Sequence, residues 1–527
     1  MEKAYERACR AIILEEFYKM GFRGNMMNFL REFLNDRYIK VKIGNYISKA
    51  FKQEEGVPQG SVLSVTCFSV AINKIVQKVS SPVKCSLFVD DFLMYVSSYD
   101  AATACNYLQK SINEVTKWAE ENGFRFSSSK TVAVRFTRMR RIEAVPNLML
   151  NDCIIPYEEQ VRFLGIIFDR KLTWGPHIDN LKIKVKKSLN ILKVVSHFEW
   201  GADRKSLLKI YNSLCRSKLD YACEVYSSAC KTRLKELDVI HNLGLRICTG
   251  AYKTSPIESI YIDSGELPLQ LRREELGLLY MQRLKSSVDN PASECLKEKN
   301  PYNFNKPRAT KPFQIRFLRE LEDKTIESQE ICEFKYLNVP PWLVPDIKLC
   351  KKTIVKKEMS SQEMYSKFIE HNSIHRDQEK IFTDGSKSRD GVGCAVLYQK
   401  DSYQAWLSKK ASVFTAEMTA IIESLKMINQ GKKKDFVIYS DSYSAVLALS
   451  QYNSFHPLVQ KAQEWLFRLH IKFKNINFCW VPSHVGIHQN EIVDKEAKEA
   501  AKLPSVNIKS IPSIDMKGPI KQYILCK

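Results

Sequence analysis

No window of the chain approaches 18 uninterrupted apolar residues, so no membrane-spanning helix is expected. No C-x-x-C pair occurs among the 15 cysteines. Several of them (Cys85, Cys394, Cys479) lie inside apolar stretches, where a free thiol behaves as a small hydrophobe. An odd, scattered set of this kind argues against a disulfide scaffold and against a zinc site, and for a reducing compartment. The opening MEKAYERACR is a charged helical pattern, not a signal peptide. There is no internal repeat and no long low-complexity tract. A soluble, intracellular protein is expected, with nucleus and cytoplasm both open and no evident small-molecule cofactor. Negative charge is also scarce: 59 acidic residues stand against 81 basic ones, a net of +22. An excess that large fits a polyanionic partner, most often nucleic acid; a basic protein without one is the plainer alternative.

At 527 residues the chain exceeds what one core supports, so three or more domains are expected. Residues 1–20 read as a helix stopped by Gly21, and GNMMNFLREFLND as a second helix. RYIKVKIG alternates as a strand does, and EEGVPQGSVLS is a loop leading into an apolar helix. CSLFVDDFLMYVSS reads as a hairpin with Asp90 and Asp91 at its tip, and KTVAVRF and VRFLGIIFD as further strands. From 176 to about 290 the periodicity is helical. The stretch 296–315 is polar, basic and Pro-punctuated, a linker pattern, and 316–375 carries no clear period. From 378 the order is βββαβαβα with a short extra helix, which fits a mixed sheet covered by helices.

Four carboxylates stand out in that last block. Asp384, in FTDGS, is by itself a turn signal. Asp441, in IYSDS, is by itself a helix N-cap. Asp494 is by itself an acid favoured by the dipole of its helix. Glu417 is more telling. Phe414, Met418, Ile421, Ile422, Leu425 and Ile428 fall on one helical face; Glu417 borders it and Glu423 points away. A carboxylate at the rim of a core needs a partner more than a solvated one does. Acids converging at one end of a small sheet repel unless divalent cations sit among them, and hard oxygen donors favour Mg²⁺ or Mn²⁺. Two such ions about 4 Å apart can clamp a phosphodiester.

TDGS, TAE, SDS and WVPSHVGIHQNEIVD come in the order and spacing of a known family, and the span 378–502 resembles ribonuclease H. The resemblance implies that Asp384, Glu417, Asp441 and Asp494 bind two Mg²⁺ ions and cut the RNA strand of an RNA–DNA hybrid. It implies that His484 is the family's mobile histidine, assisting proton transfer or product release, and that Ser386 and Asn490 contact the hybrid. One departure is Gln489, which stands where the family usually has glycine and could crowd the loop.

At the other end, GVPQGSVLS followed about 30 residues later by LFVDD resembles a reverse transcriptase. The likeness continues through SSSKTVAVRFTR, VRFLGIIFDRKLTWGPHI and LRICTGAYKTSPIESIYIDSGELPL, so the chain resembles the distal part of a non-LTR retrotransposon polyprotein. The family implies Asp90 as a ligand of the polymerase Mg²⁺, with Asp91 supporting the site. Pro58, Gln59, Gly60 and Ser61 would lie against template and incoming nucleotide. Phe163, Leu164 and Gly165 would position the primer, and Tyr5 would screen the ribose 2′ position. Lys130 is either a surface lysine or the residue that protonates pyrophosphate. The aspartate that should bridge both polymerase ions falls one position before Met1. The chain is therefore expected not to polymerise DNA, as a fragment or a decayed element; Glu6 filling the gap is the weaker reading.

The expected architecture is multidomain, α+β and α/β. It comprises a partial reverse-transcriptase palm (1–170), a helical thumb and connection (171–295), a linker and unreadable connection (296–377), a ribonuclease H domain with a mixed five-stranded sheet and flanking helices (378–505), and a C-terminal tail (506–527). The expected function is Mg²⁺-dependent ribonuclease H cleavage acting on RNA–DNA hybrid, with RNA and DNA as partners. The alternative is a catalytically inert nucleic-acid-binding remnant.

Overall fold

The computed structural model describes residues 3–140, 144–297, 312–322, 329–335, 339, 343, 359–451 and 454–527. Backbone contacts divide it into two compact units, Met1–Ile183 and Lys184–Lys527. Most of the stretch expected as a linker, 296–315, lies outside the described residues.

The first unit is held by a helical core. Its expected first helix comes in two pieces, Ala4–Arg7 and α1 (Arg10–Lys19), because Ala8 and Cys9 are extended. The break frees backbone for a crossing loop: Gly56 N–H donates to Ala8 C=O (3.0 Å) and Val57 N–H to Tyr5 C=O (2.9 Å). Gly56 has φ +81°, and a Cβ there would lie 2.6 Å from the Glu6 carbonyl oxygen, so only glycine fits. Helices α2 (Asn25–Leu34) and α3 (Val62–Ile72) follow; after the strands β1 (Lys84–Phe88) and β2 (Asp91–Tyr95) comes α4 (Ala101–Glu121). Ile13, Phe17, Leu30, Leu34, Phe68, Ile72, Trp118 and Phe124 form their common core.

Three strand expectations need correction. RYIKVKIG is not one strand; Arg37–Ile39 and Lys42–Ile43 pair with different segments, Phe51–Gln53 and Tyr46–Ile47. KTVAVRF is not a strand either. Among the described residues its one β-bridge joins Ala133 to Tyr157, and an alternating pattern without a continuous neighbour forms no ladder. VRFLGIIFD is a hairpin, β3 (Gln160–Phe163) and β4 (Ile166–Asp169), turning at Leu164 and Gly165, both left-handed (φ +45° and +83°). A leucine in that conformation is uncommon, which is why the apolar run reads as continuous.

In the second unit, the helices α5 (Arg204–Tyr211), α6 (Lys231–Thr249) and α7 (Leu269–Ser286) make the expected helical block. Helix α8 (Ser361–Ile374) then opens on a capping box between Ser360 and Glu363. The sheet follows: β5 (Glu379–Lys387), β6 (Val392–Tyr398), β7 (Asp401–Leu407), β8 (Asp435–Ser440) and β9 (Asn475–Trp480), in the order β7-β6-β5-β8-β9. The first three strands are antiparallel; β8 runs parallel to β5 and β9 parallel to β8. Between them lie α9 (Val413–Gln430), α10 (Tyr443–Leu449) and α11 (Pro457–Ile471), and α12 (His488–Ala500) follows β9.

Alternate strand residues feed two cores. Ile381, Cys394, Val396, Phe436 and Ile438 pack with Met418, Ile421, Leu425 and Ile428 of α9 and Leu466 of α11. Phe382, Ala395, Val437, Tyr439 and Cys479 pack with Val493 and Ala497 of α12 and Phe368 of α8. Each such fully buried aliphatic side chain contributes about 1.5–3 kcal/mol. Glu423, expected to point away from the core, is mostly covered and ion-paired to Lys426 (2.6 Å).

Segments outside 378–505 share these cores. Phe368 joins the second. The α9 core takes in Leu278 and Met281 of α7, Phe317, and residues 507–524 through Ile511, Met516, Ile520 and Ile524 (the last two in α13, Lys517–Cys526). Ile508 forms a bridge beside Leu407 on edge strand β7, which covers part of an otherwise unpaired sheet edge.

Candidate active site

Strand register sets the site. Thr383 of β5 pairs with Ser440 of β8, so the next residues, Asp384 and Asp441, stand side by side where the two parallel strands end their pairing. Glu417 comes from the second turn of α9, which lies tight on β5. A Cβ on Gly385 would be 2.5 Å from the backbone nitrogen of Glu417, so the glycine lets helix and strand close. Asp384, Glu417 and Asp441 each bring a carboxylate oxygen within 4.8 Å of the others.

Asp384 is 5% exposed and Glu417 4%. Burial pushes the Asp384 carboxyl up to about 7, with Asp441 and Asp494 adding to it. Burial, then the charges of Asp384 and Asp441, holds Glu417 well above the usual carboxylate range. Burial also raises Asp441, opposed by hydrogen bonds with Asp384 and Asn490. Glu417 Oε2 is buried without a hydrogen-bond partner. Three carboxylates driven toward neutrality chiefly by burial, one with an orphaned oxygen, are a donor set of the hard-oxygen kind that divalent cations satisfy.

Asp494 is placed by α12, which packs on β6 at Gly393, where a Cβ would collide with the Ala497 carbonyl. Its side chain is 23% exposed and Oδ2 accepts from Lys498 Nζ at 2.6 Å. Asp494 is not one of the three within 4.8 Å, although its charge raises both Asp384 and Asp441.

A model of the RNase H family matches residues 376–502, and a model described as reverse transcriptase (RNA-dependent DNA polymerase) matches residues 1–168. The chain joins a reverse transcriptase domain to an RNase H domain. Its relatives are RNA-directed DNA polymerases of non-LTR retrotransposons. One, from the mobile element jockey of Drosophila melanogaster, is 26% identical over 296 residues, covering 54% of this chain and 31% of the relative. The jockey polymerase of Drosophila funebris is 25% identical over 310 residues, covering 55% and 33%. The chain thus spans about a third of the length of these relatives. Among solved structures, LC11-RNase H1 isolated from compost is 19% identical, covers 24% of this chain and 96% of its own, and has a TM-score of 0.21.

Elsewhere in the RNase H domain, His484 is exposed on the loop between β9 and α12, with left-handed backbone (φ +56°) two residues before Gly486 (φ +87°). Ser386 is half-buried on β5, paired with Gly393. Asn490 is 3% exposed and hydrogen-bonds Asp441, so its side chain serves the carboxylates. Gln489 is exposed in the first turn of α12.

In the reverse transcriptase domain, the hairpin turns at Val89 and Asp90, and Asp91 opens β2 opposite Phe88, so the tip lies one residue earlier than expected. Asp90 is half-buried and Asp91 exposed, and among the described residues no third metal-ligating side chain groups with them. Tyr5 stacks on Phe68 (centroids 4.9 Å) and its carbonyl holds Val57, one residue from Pro58. Pro58 is half-buried, its carbonyl accepting from Ser64 Oγ (2.5 Å); Gln59 and Gly60 are exposed, and Ser61 precedes α3. Lys130 is exposed in a turn, and Phe163, Leu164 and Gly165 form the β3–β4 bend.

Sequence reasoning missed three contributors: Trp480, Lys498 and the role of Asn490. Trp480 Nε1 donates to the Asp441 carbonyl (2.8 Å) and fixes its backbone. The i,i+4 spacing of Asp494 and Lys498 was a readable signal; the tryptophan closing β9 was not.

Proposed function

We propose that this chain cleaves the RNA strand of RNA–DNA hybrids in a Mg²⁺- or Mn²⁺-dependent reaction at Asp384, Glu417, Asp441 and Asp494. The observation that carries the reading is the buried trio of Asp384, Glu417 and Asp441, with burial raising all three, neighbouring carboxylates adding to it, and Glu417 Oε2 left unpartnered. Two ions bound there would supply an activated water and stabilise the leaving 3′ oxygen. Asp384 and Asp441 hold adjacent strand ends as a fixed rim. Glu417 brings an oxygen from the helix, and Asn490 and Trp480 keep Asp441 oriented. Asp494 joins when its side chain turns from Lys498. His484, exposed on a loop of unusual backbone, would hold or pass a proton near the leaving group. The net charge of +22 favours a nucleic-acid substrate, recognised by shape and 2′-hydroxyls.

The proposal is confined to this site and assigns no polymerase activity to Asp90 and Asp91. Its test is incubation of the purified chain with a labelled RNA–DNA hybrid and Mg²⁺, beside Asp384→Asn. Cleavage by the parent and loss in the variant support it. No cleavage by the parent, or equal cleavage by both, rejects it; salt-sensitive binding without turnover would instead mark a nucleic-acid-binding remnant.

A further inference from the structure

Asp515 is a buried acid that no step above uses. It lies in the short helical turn Ser513–Met516, about a hundred residues beyond α9, yet it meets the start of that helix. Its Oδ2 accepts from the Ser412 backbone N–H (3.0 Å) and from the Thr415 hydroxyl (2.6 Å). Ser412 is the N-cap of α9 and its own hydroxyl accepts from the Thr415 N–H (3.1 Å). One carboxylate oxygen therefore clamps both the cap and the first turn of the helix whose next turn carries Glu417. A negative group at a helix N-terminus is also favoured by the macrodipole.

The clamp has a rigid mounting. Asn507 and Ile508 N–H both donate to the Trp406 carbonyl (2.9 and 3.1 Å), and Ser408 N–H donates to the Ile508 carbonyl (3.0 Å). Ile511 N–H donates to the Glu330 carbonyl (3.0 Å), and Ile511, Met516 and Ile520 are fully buried. The other side of α9 has little freedom either, because its backbone at Ala416 and Glu417 rests on Gly385. A small rotation of the first turn of α9 would move Glu417 relative to Asp384 and Asp441, and sub-ångström placement decides whether oxygens share an ion.

We propose that Asp515 is a positioning residue for the metal site, holding Glu417 in register with Asp384 and Asp441 through the N-terminus of α9. This rests on the ribonuclease reading for its consequence in catalysis, but not for its consequence in ion binding. Asp515→Ala removes both hydrogen bonds, while Asp515→Asn can keep an oxygen in the same place.

The test measures Mn²⁺ binding to the full chain by calorimetry, alongside cleavage of the hybrid, at a temperature where circular dichroism shows all variants folded. Expected for Asp515→Ala is Mn²⁺ affinity weakened about tenfold and kcat lowered with KM for hybrid unchanged, and for Asp515→Asn recovery of most of both. Thr415→Val, which removes one of the two bonds, falls between. If Asp515→Ala lowers only the melting temperature and leaves Mn²⁺ affinity and kcat at parental values, the proposal is overturned. If Asp515→Asn is as impaired in Mn²⁺ binding as Asp515→Ala, the clamp geometry is wrong and the proposal also falls. Should the parent bind Mn²⁺ without cleaving hybrid, the ribonuclease reading fails while the affinity comparison still decides this one.

Discussion

Replacing Asp384 by asparagine should make the metal-free protein more stable at neutral pH, the opposite of the usual result for a buried polar substitution. In the folded chain this carboxyl titrates at about 7, against an ordinary 3.8, chiefly because it is buried and secondarily because Asp441 and Asp494 face it. Below the unfolded value both states carry the proton and the group contributes nothing. Between about pH 4 and pH 7 the folded state keeps a proton that the unfolded state has lost, so stability falls as pH rises. At about 1.4 kcal/mol for each tenfold difference in proton affinity, the cost levels off near 4 kcal/mol above pH 7. Asparagine has nearly the same shape, can still donate to Asp441, and has no charge to bury. The assay is thermal or urea unfolding of parent and Asp384→Asn in EDTA from pH 5 to pH 8.5. The gap should be about 1.6 kcal/mol at pH 5 and widen to several degrees at pH 8, with the variant higher. Added Mg²⁺ should close the gap by raising the parent alone, because ion binding to the folded state stabilises it. A parent flat across this range, or an asparagine variant no more stable at pH 8, would refute the reasoning about the cluster.

Other outcomes follow from the same geometry. Gly385→Ala should cost roughly 1–3 kcal/mol or more in unfolding free energy, because the new methyl meets the α9 backbone at 2.5 Å with nothing flexible to yield; it should also weaken Mn²⁺ binding. Lys498→Met should lower the Mg²⁺ concentration for half-maximal cleavage about twofold, since the exposed ion pair that occupies Asp494 is worth about 0.3–0.5 kcal/mol; an unchanged Mg²⁺ midpoint would show that the pair does not compete. Val89 has φ +55°, a poor conformation for a β-branched residue. Val89→Gly should therefore raise the denaturant midpoint of the first unit by about 1 kcal/mol equivalent, and a fall would show the turn to be unstrained.

What could be read from sequence was the part governed by short-range pattern. Asp384 and Asp441 follow apolar strand runs, and Glu417 borders a helical stripe; all three come together in the structure. Local pattern did not say that Asp494 would turn to Lys498, although both lie on one helix, since a carboxylate with two available partners is decided by geometry. It misread 130–136 and 161–169 because alternation reports which face is apolar, not whether a neighbour exists to complete a ladder or a Leu-Gly pair bends the chain. The family resemblance pointed Asn490 at the hybrid; its burial and its hydrogen bond to Asp441 depend on how distant segments pack, which local pattern does not report. Asp515 was invisible for a different reason. Its partners are about a hundred positions away, and nothing in the segment around it marks a cap for another helix.

The bridges from Ser287 to Phe334, from Ile331 to Ile511 and from Leu407 to Ile508 tie together stretches of chain that are made at very different times. A ribosome delivers α7 and the sheet strands long before residues 507–524 emerge. Until then Ile381, Cys394 and Met418 must wait with one wall of their core missing. This nuclease fold should therefore close late and all at once, with slow, long-range pairing as its rate-limiting step.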